Sequence, residues 1–146
     1  MIENKKARLN YEVKDTLEAG IVLTGAEVKA IRDNRINISE SFVKVLGGEM
    51  YLINADIAKY KFSSLERYDS TQSRKLLVHK KEMQMLSSKS KQGGLTLVPL
   101  KVFFAHGRVK VLIGLARGRK RFEKKAKVKE RDLERELHLE KRKYMI

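Results

Sequence analysis

The residues with the most evident chemistry in this sequence are the lysines and arginines near its C-terminus. Between Arg117 and Lys129 there are eight basic residues and one acidic residue. At this density, ammonium and guanidinium groups displace condensed counterions from a nucleic-acid backbone and so bind phosphate. Phe122 lies among these cations, where burial in a core is not expected, and is a candidate for stacking on a base. The alternative is a surface that only keeps the protein soluble.

Catalytic groups in a recognisable arrangement are not found. The chain has no cysteine, and its histidines lack the i, i+4 spacing of a helical metal site. It contains no GxxxxGK[ST] phosphate-binding loop, no GxSxG nucleophile elbow and no GxGxxG motif in a βαβ setting. Acids that occur in pairs, such as Glu130 and Asp132, lie in a charged segment and are expected to be solvated. The sequence therefore predicts that the protein is not an enzyme and needs neither a metal nor a cofactor.

The overall charge indicates a polyanionic partner. Thirty-three Lys and Arg residues against 18 Asp and Glu residues give a formal net charge of +15, which favours a nucleic acid or an anionic membrane surface. No stretch reaches the roughly 20 apolar residues that a membrane span needs, and residues 1–13 are charged where a secretory signal would be apolar. We expect a soluble, cytoplasmic protein without a membrane partner.

The elements that must position these charges are mostly strands. Apolar residues alternate with polar ones through much of residues 11–116, and Gly47-Gly48 and His106-Gly107 are typical of hairpin turns. These patterns predict a mainly β fold, a small antiparallel barrel of five or six strands. The predicted strands are Ser41–Leu46, Met50–Ile57, Leu95–Phe104 and Arg108–Leu115, with at least one more in Tyr11–Leu23.

Two short helices are predicted between the strands, over Glu27–Asp33 behind a Thr24 cap and over His79–Lys89. The polar run Ser63–Ser73 is expected to be a loop. After residue 117 charge dominates and few apolar residues remain, so residues 118–146 cannot bury enough apolar surface to fold alone. We expect residues 1–117 to form one domain, and residues 118–146 to be a basic tail that is disordered when free and becomes ordered against a partner.

Taken together, the motifs resemble the small protein B family, SmpB, over essentially the whole chain. Each block alone would be weak, but their order and spacing are highly specific. The matching blocks are Asn4-Lys5-Lys6-Ala7-Arg8 followed by Tyr11, residues 18–25 (EAGIVLTG), Glu27-Val28-Lys29, Arg74-Lys75-Leu76-Leu77, residues 94–100 (GLTLVPL), Gly107-Arg108-Val109-Lys110 and Ala116-Arg117-Gly118-Arg119-Lys120.

The resemblance implies an OB-type antiparallel barrel with two or three short helices and a basic C-terminal tail. It also implies the partner. Members of the family bind the tRNA-like domain of tmRNA and bring it to stalled ribosomes for trans-translation, and their tail enters the decoding centre and the mRNA channel. Such a protein is expected to be monomeric and to need no cofactor.

The family's functional residues can be carried over to matching positions of this chain. Lysines would bind phosphate, polar side chains would hydrogen-bond exposed base or ribose edges, and Leu77 would pack on an unstacked base. The ordinary alternatives are that Glu18 is a turn carboxylate and that Leu77 is a core residue. The expected RNA contacts are Asn4, Lys5, Arg8, Glu18, Leu77 and Lys110, and the expected ribosome contacts in the tail are Arg119, Lys120, Phe122, Glu123, Lys124 and Lys125.

The chain departs from the family pattern in the tail. Phe122-Glu123-Lys124-Lys125 stands where the family more often has an aromatic residue or His followed by Asp-Lys-Arg, and Lys does not replace Arg at bidentate phosphate sites. Two other interpretations compete with tmRNA binding. One is a basic structural or ribosomal protein that coats RNA through charge alone, and the other is a nuclease or other enzyme.

Overall fold

The computed structural model of the protein describes residues 1–61 and 67–118. In chain order, its three helices and nine strands are β1 (Ile2–Glu3), α1 (Lys5–Asn10), β2 (Tyr11–Ile21), α2 (Gly25–Arg32), β3 (Ile36–Asn37), β4 (Phe42–Leu46), β5 (Glu49–Ile53), β6 (Asp56–Ile57), β7 (Arg74–Leu77), α3 (Lys80–Gly93), β8 (Thr96–Ala105) and β9 (Arg108–Gly118).

Seven of the strands form one antiparallel sheet in the order β1-β8-β9-β2-β7-β5-β4, and β3 pairs with β6 in a second, two-stranded sheet. The predicted mainly β fold with antiparallel pairing is confirmed. The main sheet curls until β4 lies beside β8. Within the described residues, however, no hydrogen-bonded ladder joins its two edges, so the predicted barrel is not closed.

Two glycine turns hold the predicted hairpins. Gly47 and Gly48 join β4 to β5, and His106 and Gly107 join β8 to β9, all four with positive φ between 53° and 77°. A two-residue turn with positive φ at both positions follows the natural twist of the paired strands. The strand count was underestimated because β1, β3 and β6 have only two residues each, too few to show an alternating pattern.

The larger core lies on one face of the main sheet, and a smaller buried cluster lies on the other face beneath α1. In β9, Val109, Val111, Ile113 and Leu115 are all at least 93% buried in the larger core, as the alternation predicted. Two β-bulges interrupt the alternation in the neighbouring strands, between Val13 and Asp15 in β2 and between Pro99 and Lys101 in β8. Each bulge adds one residue and so reverses which later residues face the core.

A buried ion pair fixes α2 against the sheet. Thr24 caps the helix with a capping box to Glu27, which confirms the predicted cap. Glu27 Oε2 lies 2.6 Å from Arg74 Nε, and each residue is 97% buried. The Arg74 guanidinium also donates to the carbonyls of Ala55 and Ser70, at 2.8 and 2.9 Å. Burial alone would raise the pKa of Glu27, but hydrogen bonds from the Thr24 N–H and from Arg74 outweigh it and lower that pKa.

The same network secures the described part of the predicted polar loop. Tyr68 lies with its hydroxyl 3.1 Å from Glu27 Oε2 and 2.9 Å from the Ile57 carbonyl oxygen, and it accepts a hydrogen bond from Arg74 Nη2 at 3.1 Å. Residues 67–73 contain no helix or strand. The loop is thus held by side-chain hydrogen bonds to a guanidinium, which stabilise it more than neutral hydrogen bonds would.

Candidate nucleic-acid interface

The outer face of β8, β9, β2 and β7, opposite the core, carries several of the predicted RNA contacts. The register places Phe103 opposite Lys110, Lys110 opposite Gly20, and Gly20 opposite Leu77. Directly opposed residues in antiparallel strands project to the same side. These four residues therefore form one row across four strands, which we call the first row.

A second row lies two residues along on the same face. It consists of Lys101, Leu112 and Glu18, again directly opposed on three strands. In the part of the chain that the structure describes, neither Glu18 nor Lys110 has a salt bridge or hydrogen bond to another side chain. A carboxylate and an ammonium on adjacent rows are thus left for a ligand.

A cleft opens where the first row meets the end of the sheet. Its volume is about 370 Å³, and its walls include Gly20, Leu77, Arg108 and Lys110. Clefts that accept small ligands hold roughly 300–1,000 Å³, and this cleft lies in the lower part of that range. Gly20 contributes by having no side chain, since a Cβ there would lie 3.3 Å from Leu77 Cβ and narrow the cleft.

Leu77 lies on the surface, and the alternative that it is a core residue is wrong. Its side chain is 54% exposed, while the preceding Leu76 is 98% buried. The exposed leucine flanks the cleft beside two cationic residues. An apolar side chain in such a setting offers a surface on which the flat face of a base can pack.

Helix α1 brings further cations to the same face. Ala7 packs against Val98, Leu100 and Ala116, and Leu112 of the second row packs against that cluster. Lys5 and Arg8 are exposed on this short helix. Lys6 forms an ion pair with Glu40, whereas Lys5 and Arg8 have no such partner within the described residues.

Asn4 does not have the geometry expected of an RNA contact. The residue is 97% buried, and its side-chain amide donates to the carbonyls of Ile38 and Pro99, at 3.1 and 2.8 Å. Its Oδ1 accepts the Ala7 N–H at 3.0 Å and so caps α1. The prediction that the Asn4 amide bonds to a base or ribose is therefore corrected: it is saturated by the protein and positions α1.

Four residues of this face were not predicted from the sequence as candidate contacts: Gly20, Lys101, Phe103 and Arg108. Arg108 could have been predicted, because it lies in the same motif block as Lys110. For Phe103 there was no such indication. Strict alternation from the buried Leu97 would turn it inward, and the bulge between Pro99 and Lys101 turns it outward instead.

The tail residues lie outside the described residues, namely Arg119, Lys120, Phe122, Glu123, Lys124 and Lys125. What the structure describes is the end of β9, where Gly118 is opposite Tyr11 and Arg117 Nη2 lies 2.6 Å from Glu12 Oε2. The chain thus leaves the sheet at the end of the long β2–β9 ladder.

Neither a metal site nor a membrane span stands out in the described residues. No group of three His, Cys, Asp or Glu side chains clusters there. None of the helices in residues 1–61 and 67–118 is long and apolar enough to cross a membrane.

Comparison with known proteins decides the family. The model of the family described as SmpB protein matches residues 1–143. The chain belongs to the SmpB family. This confirms the resemblance predicted from the motif blocks, which ran from Asn4 to Lys120 in the same order.

Similar SmpB-family proteins match over most of their length. The SsrA-binding protein of Lactobacillus helveticus is 45% identical over 144 residues, which cover 99% of this chain and 93% of that protein. The SsrA-binding protein of Staphylococcus epidermidis is 44% identical over 137 residues, 94% of this chain and 88% of that protein. A solved chain from work on tmRNA-SmpB at the center of the bacterial ribosome is 46% identical, with a TM-score of 0.68 over 87% of this chain and 93% of that chain.

Proposed function

We propose that this SmpB-family chain binds the tRNA-like domain of tmRNA through its outer face and brings it to stalled ribosomes for trans-translation. The similar proteins are named for SsrA binding, and the similar solved chain belongs to a tmRNA-SmpB structure of the ribosome. The observation that carries the proposal is the first row, in which Lys110, Gly20 and Leu77 are aligned on one face, with Glu18 in the adjacent row.

Each residue of this face has a distinct task in the proposal. Leu77 and the bare backbone of Gly20 offer an apolar floor for an unstacked base, and Lys110 binds a neighbouring phosphate. Glu18 accepts hydrogen bonds from a base amino group or a 2′-hydroxyl. A carboxylate next to phosphate is unfavourable unless such donors reach it. Glu18 therefore favours one folded RNA over generic polyanions, as a repulsive element against wrong partners does.

Helix α1 extends the face toward the RNA backbone. Lys5 and Arg8 supply charge to phosphates that flank the bound loop, and Asn4 acts indirectly by capping the helix and tying it to Ile38 and Pro99. Asn4 is thus a positioning residue. Its replacement by Ala is expected to weaken RNA binding together with the order of α1, whereas Lys5→Ala weakens binding alone.

The proposal divides the chain between two tasks. Residues 1–117 form the RNA-binding domain, and residues 118–146 form the tail that meets the decoding centre and the mRNA channel. Within the tail, the proposed ribosome contacts are Arg119, Lys120, Phe122, Glu123, Lys124 and Lys125. The protein acts in the cytoplasm as a monomer, without catalysis and without a cofactor.

A competition titration tests the RNA specificity. The full-length protein is titrated with labelled, isolated tRNA-like domain, and unlabelled tRNA or duplex RNA of similar length is added as competitor. Specific binding predicts that the competitors displace the label only at large excess. Equal competition, with a steep loss of affinity as salt rises, would instead identify a charge-only RNA binder.

A truncation tests the division of tasks. Removal of residues 119–146 leaves every described element intact, so we expect binding to the tRNA-like domain to persist while tagging of stalled chains is lost. The matched control is Lys110→Ala in the full-length chain. This variant should lose affinity for the tRNA-like domain, and tagging should fall only as a consequence. A truncated protein that still supports tagging would refute the task given to the tail.

A further inference from the structure

We propose that Phe103 is a stacking platform for a nucleobase, a contact that extends the RNA interface to β8. The inference rests on the proposed function, because the base belongs to the RNA that the outer face binds. It adds an aromatic contact to residues that otherwise supply charge, hydrogen bonds and one apolar side chain.

The first observation is the position of Phe103 in the first row. It lies directly opposite Lys110, which is opposite Gly20, which is opposite Leu77. Neighbouring strands are about 4.8 Å apart, so Phe103 and Leu77 stand about 14 Å apart at opposite ends of the row. That span exceeds one base, and a second base or its flanking backbone therefore comes within reach of the Phe103 side.

The second observation is that the ring is directed away from the core by a built feature of the strand. Val102, the residue before it, is 98% buried on the core face. The bulge between Pro99 and Lys101 sets this arrangement. Without it, Phe103 would continue the inward series of Leu97 and Pro99, and Val102 would face outward. Bulges often re-aim a side chain next to a functional site.

The third observation is the charge beside the ring. Lys101 Nζ lies 5.2 Å from the centre of the Phe103 ring, within the range of a cation–π contact that restricts the ring's orientation. On the other side, Lys110 is opposite Phe103 and has no protein ion-pair partner among the described residues. An aromatic ring between two ammonium groups is the arrangement that binds a base together with its adjacent phosphates.

Phe104 provides a matched control in the same strand. It is also phenylalanine, it is 39% exposed, and Arg32 lies 5.8 Å from its ring centre. It projects to the opposite side of β8 from Phe103. Both rings thus have a nearby cation, and Phe104 is the more exposed of the two, since Phe103 is half-buried. Only Phe103 belongs to the first row.

The test is an equilibrium titration of full-length variants with the isolated tRNA-like domain. Phe103→Ala should raise Kd roughly 5- to 140-fold, the range to which stacking of about 1–3 kcal/mol converts at 1.4 kcal/mol per tenfold. Phe103→Tyr should restore binding, and Phe103→Leu, which keeps apolar bulk without a π face, should not. Phe104→Ala should leave Kd within about twofold.

A spectroscopic readout covers the case in which Phe103→Ala is poorly folded. The protein contains no tryptophan, so Phe103→Trp and Phe104→Trp each introduce a single reporter. Stacking predicts that the tRNA-like domain quenches the fluorescence of Phe103→Trp and protects it from a soluble quencher, with little change for Phe104→Trp.

The outcomes separate this inference from the proposed function. Unchanged binding by Phe103→Ala or Phe103→Leu, or an unquenched Phe103→Trp, alongside a weakened Lys110→Ala variant, would refute the stacking contact and leave the function intact. If tRNA competes as well as the tRNA-like domain for the unmodified protein, the proposed function is wrong and the stacking inference fails with it.

Discussion

Strand β7 contains two regions that use similar chemistry for different ends. At its start, Arg74 is buried and pairs with Glu27 and Tyr68. At its end, three residues later, Leu77 is exposed beside Lys110 and near Glu18. We call the first region the buried network. There, carboxylate and cation satisfy each other. On the outer face, Glu18 and Lys110 have no ion-pair partner among residues 1–61 and 67–118, and that difference separates the structural groups from those we propose for recognition.

The largest expected effect comes from breaking the buried network. Arg74→Ala leaves the buried Glu27 and the half-buried Tyr68 without their main partner, and loss of one side of a buried pair costs about 3–5 kcal/mol. This approaches the whole stability of a small domain, about 5–15 kcal/mol. Denaturant unfolding measures the loss. A variant as stable as the parent would show that the network is dispensable.

The pH dependence of the same network gives the second prediction. Since the pKa of Glu27 is lowered in the folded state, its contribution is fully present at neutral pH and is lost as pH falls below the ordinary value of 4.5. Glu27→Gln should therefore destabilise the protein at pH 7 by roughly 1–3 kcal/mol. The gap between the two proteins should shrink in acid, as measured by unfolding at a series of pH values. A difference in unfolding free energy that stays constant with pH would contradict an ionised Glu27–Arg74 pair.

A substitution on the outer face should lower RNA affinity and leave stability nearly unchanged, in contrast to substitutions in the buried network. Leu77→Ala removes a side chain that is already 54% exposed, so the free energy of unfolding should change by no more than about 0.5 kcal/mol. The Kd for the tRNA-like domain should rise roughly five- to tenfold through the lost apolar contact. Titration and unfolding on the same sample make the comparison. A loss of stability without a loss of affinity would show that Leu77 supports the fold and does not contact RNA.

The salt dependence of binding distinguishes the charged contacts of the outer face from the apolar ones. Lys110→Ala should lower the slope of log K against log salt by about one, because one phosphate contact is lost. Leu77→Ala should leave the slope unchanged. Titrations at several salt concentrations measure both slopes. Equal slopes for Lys110→Ala and the parent would show that Lys110 does not contact a phosphate.

The smallest effect is expected for an exposed ion pair next to the buried one. Lys75 follows Arg74 in β7 and lies 3.0 Å from Glu49, but both side chains are about half exposed. Lys75→Ala should change the unfolding free energy by less than about 1 kcal/mol. The contrast with Arg74→Ala, one residue away, isolates burial as the cause, and a comparable loss from both would deny it.

Local signals carried much of the fold. The glycine turns, the Thr24 cap and the alternation in β9 are each set by residues close in sequence, and the structure confirms all three. The position of Lys110 on an outward face followed from the same alternation.

The remaining features depend on contacts that are distant in sequence. Asn4 was assigned to RNA from the family resemblance. Nothing local in the sequence shows its partners, the carbonyls of Ile38 and Pro99, which lie 34 and 95 residues away. The sequence shows the loop that contains Tyr68 only as a polar run, because its partner Glu27 lies 41 residues earlier. The outward position of Phe103 was missed because a bulge has no reliable signal in the sequence of a single strand.

The two bulges also determine which kinds of mutation the interface can survive. Lys14 is the unpaired residue of the first bulge, so its deletion would leave Val13 opposite Ala116 and Asp15 opposite Leu115, and every later residue of β2 would keep its face. Loss of Leu100 would likewise leave Val102 and Phe103 on their present faces. A deletion that the bulge does not absorb, such as loss of Glu18, would instead exchange the core and outer faces of the residues that follow it. The bulges are thus the places where β2 and β8 can lose a residue during evolution without exchanging recognition and core positions.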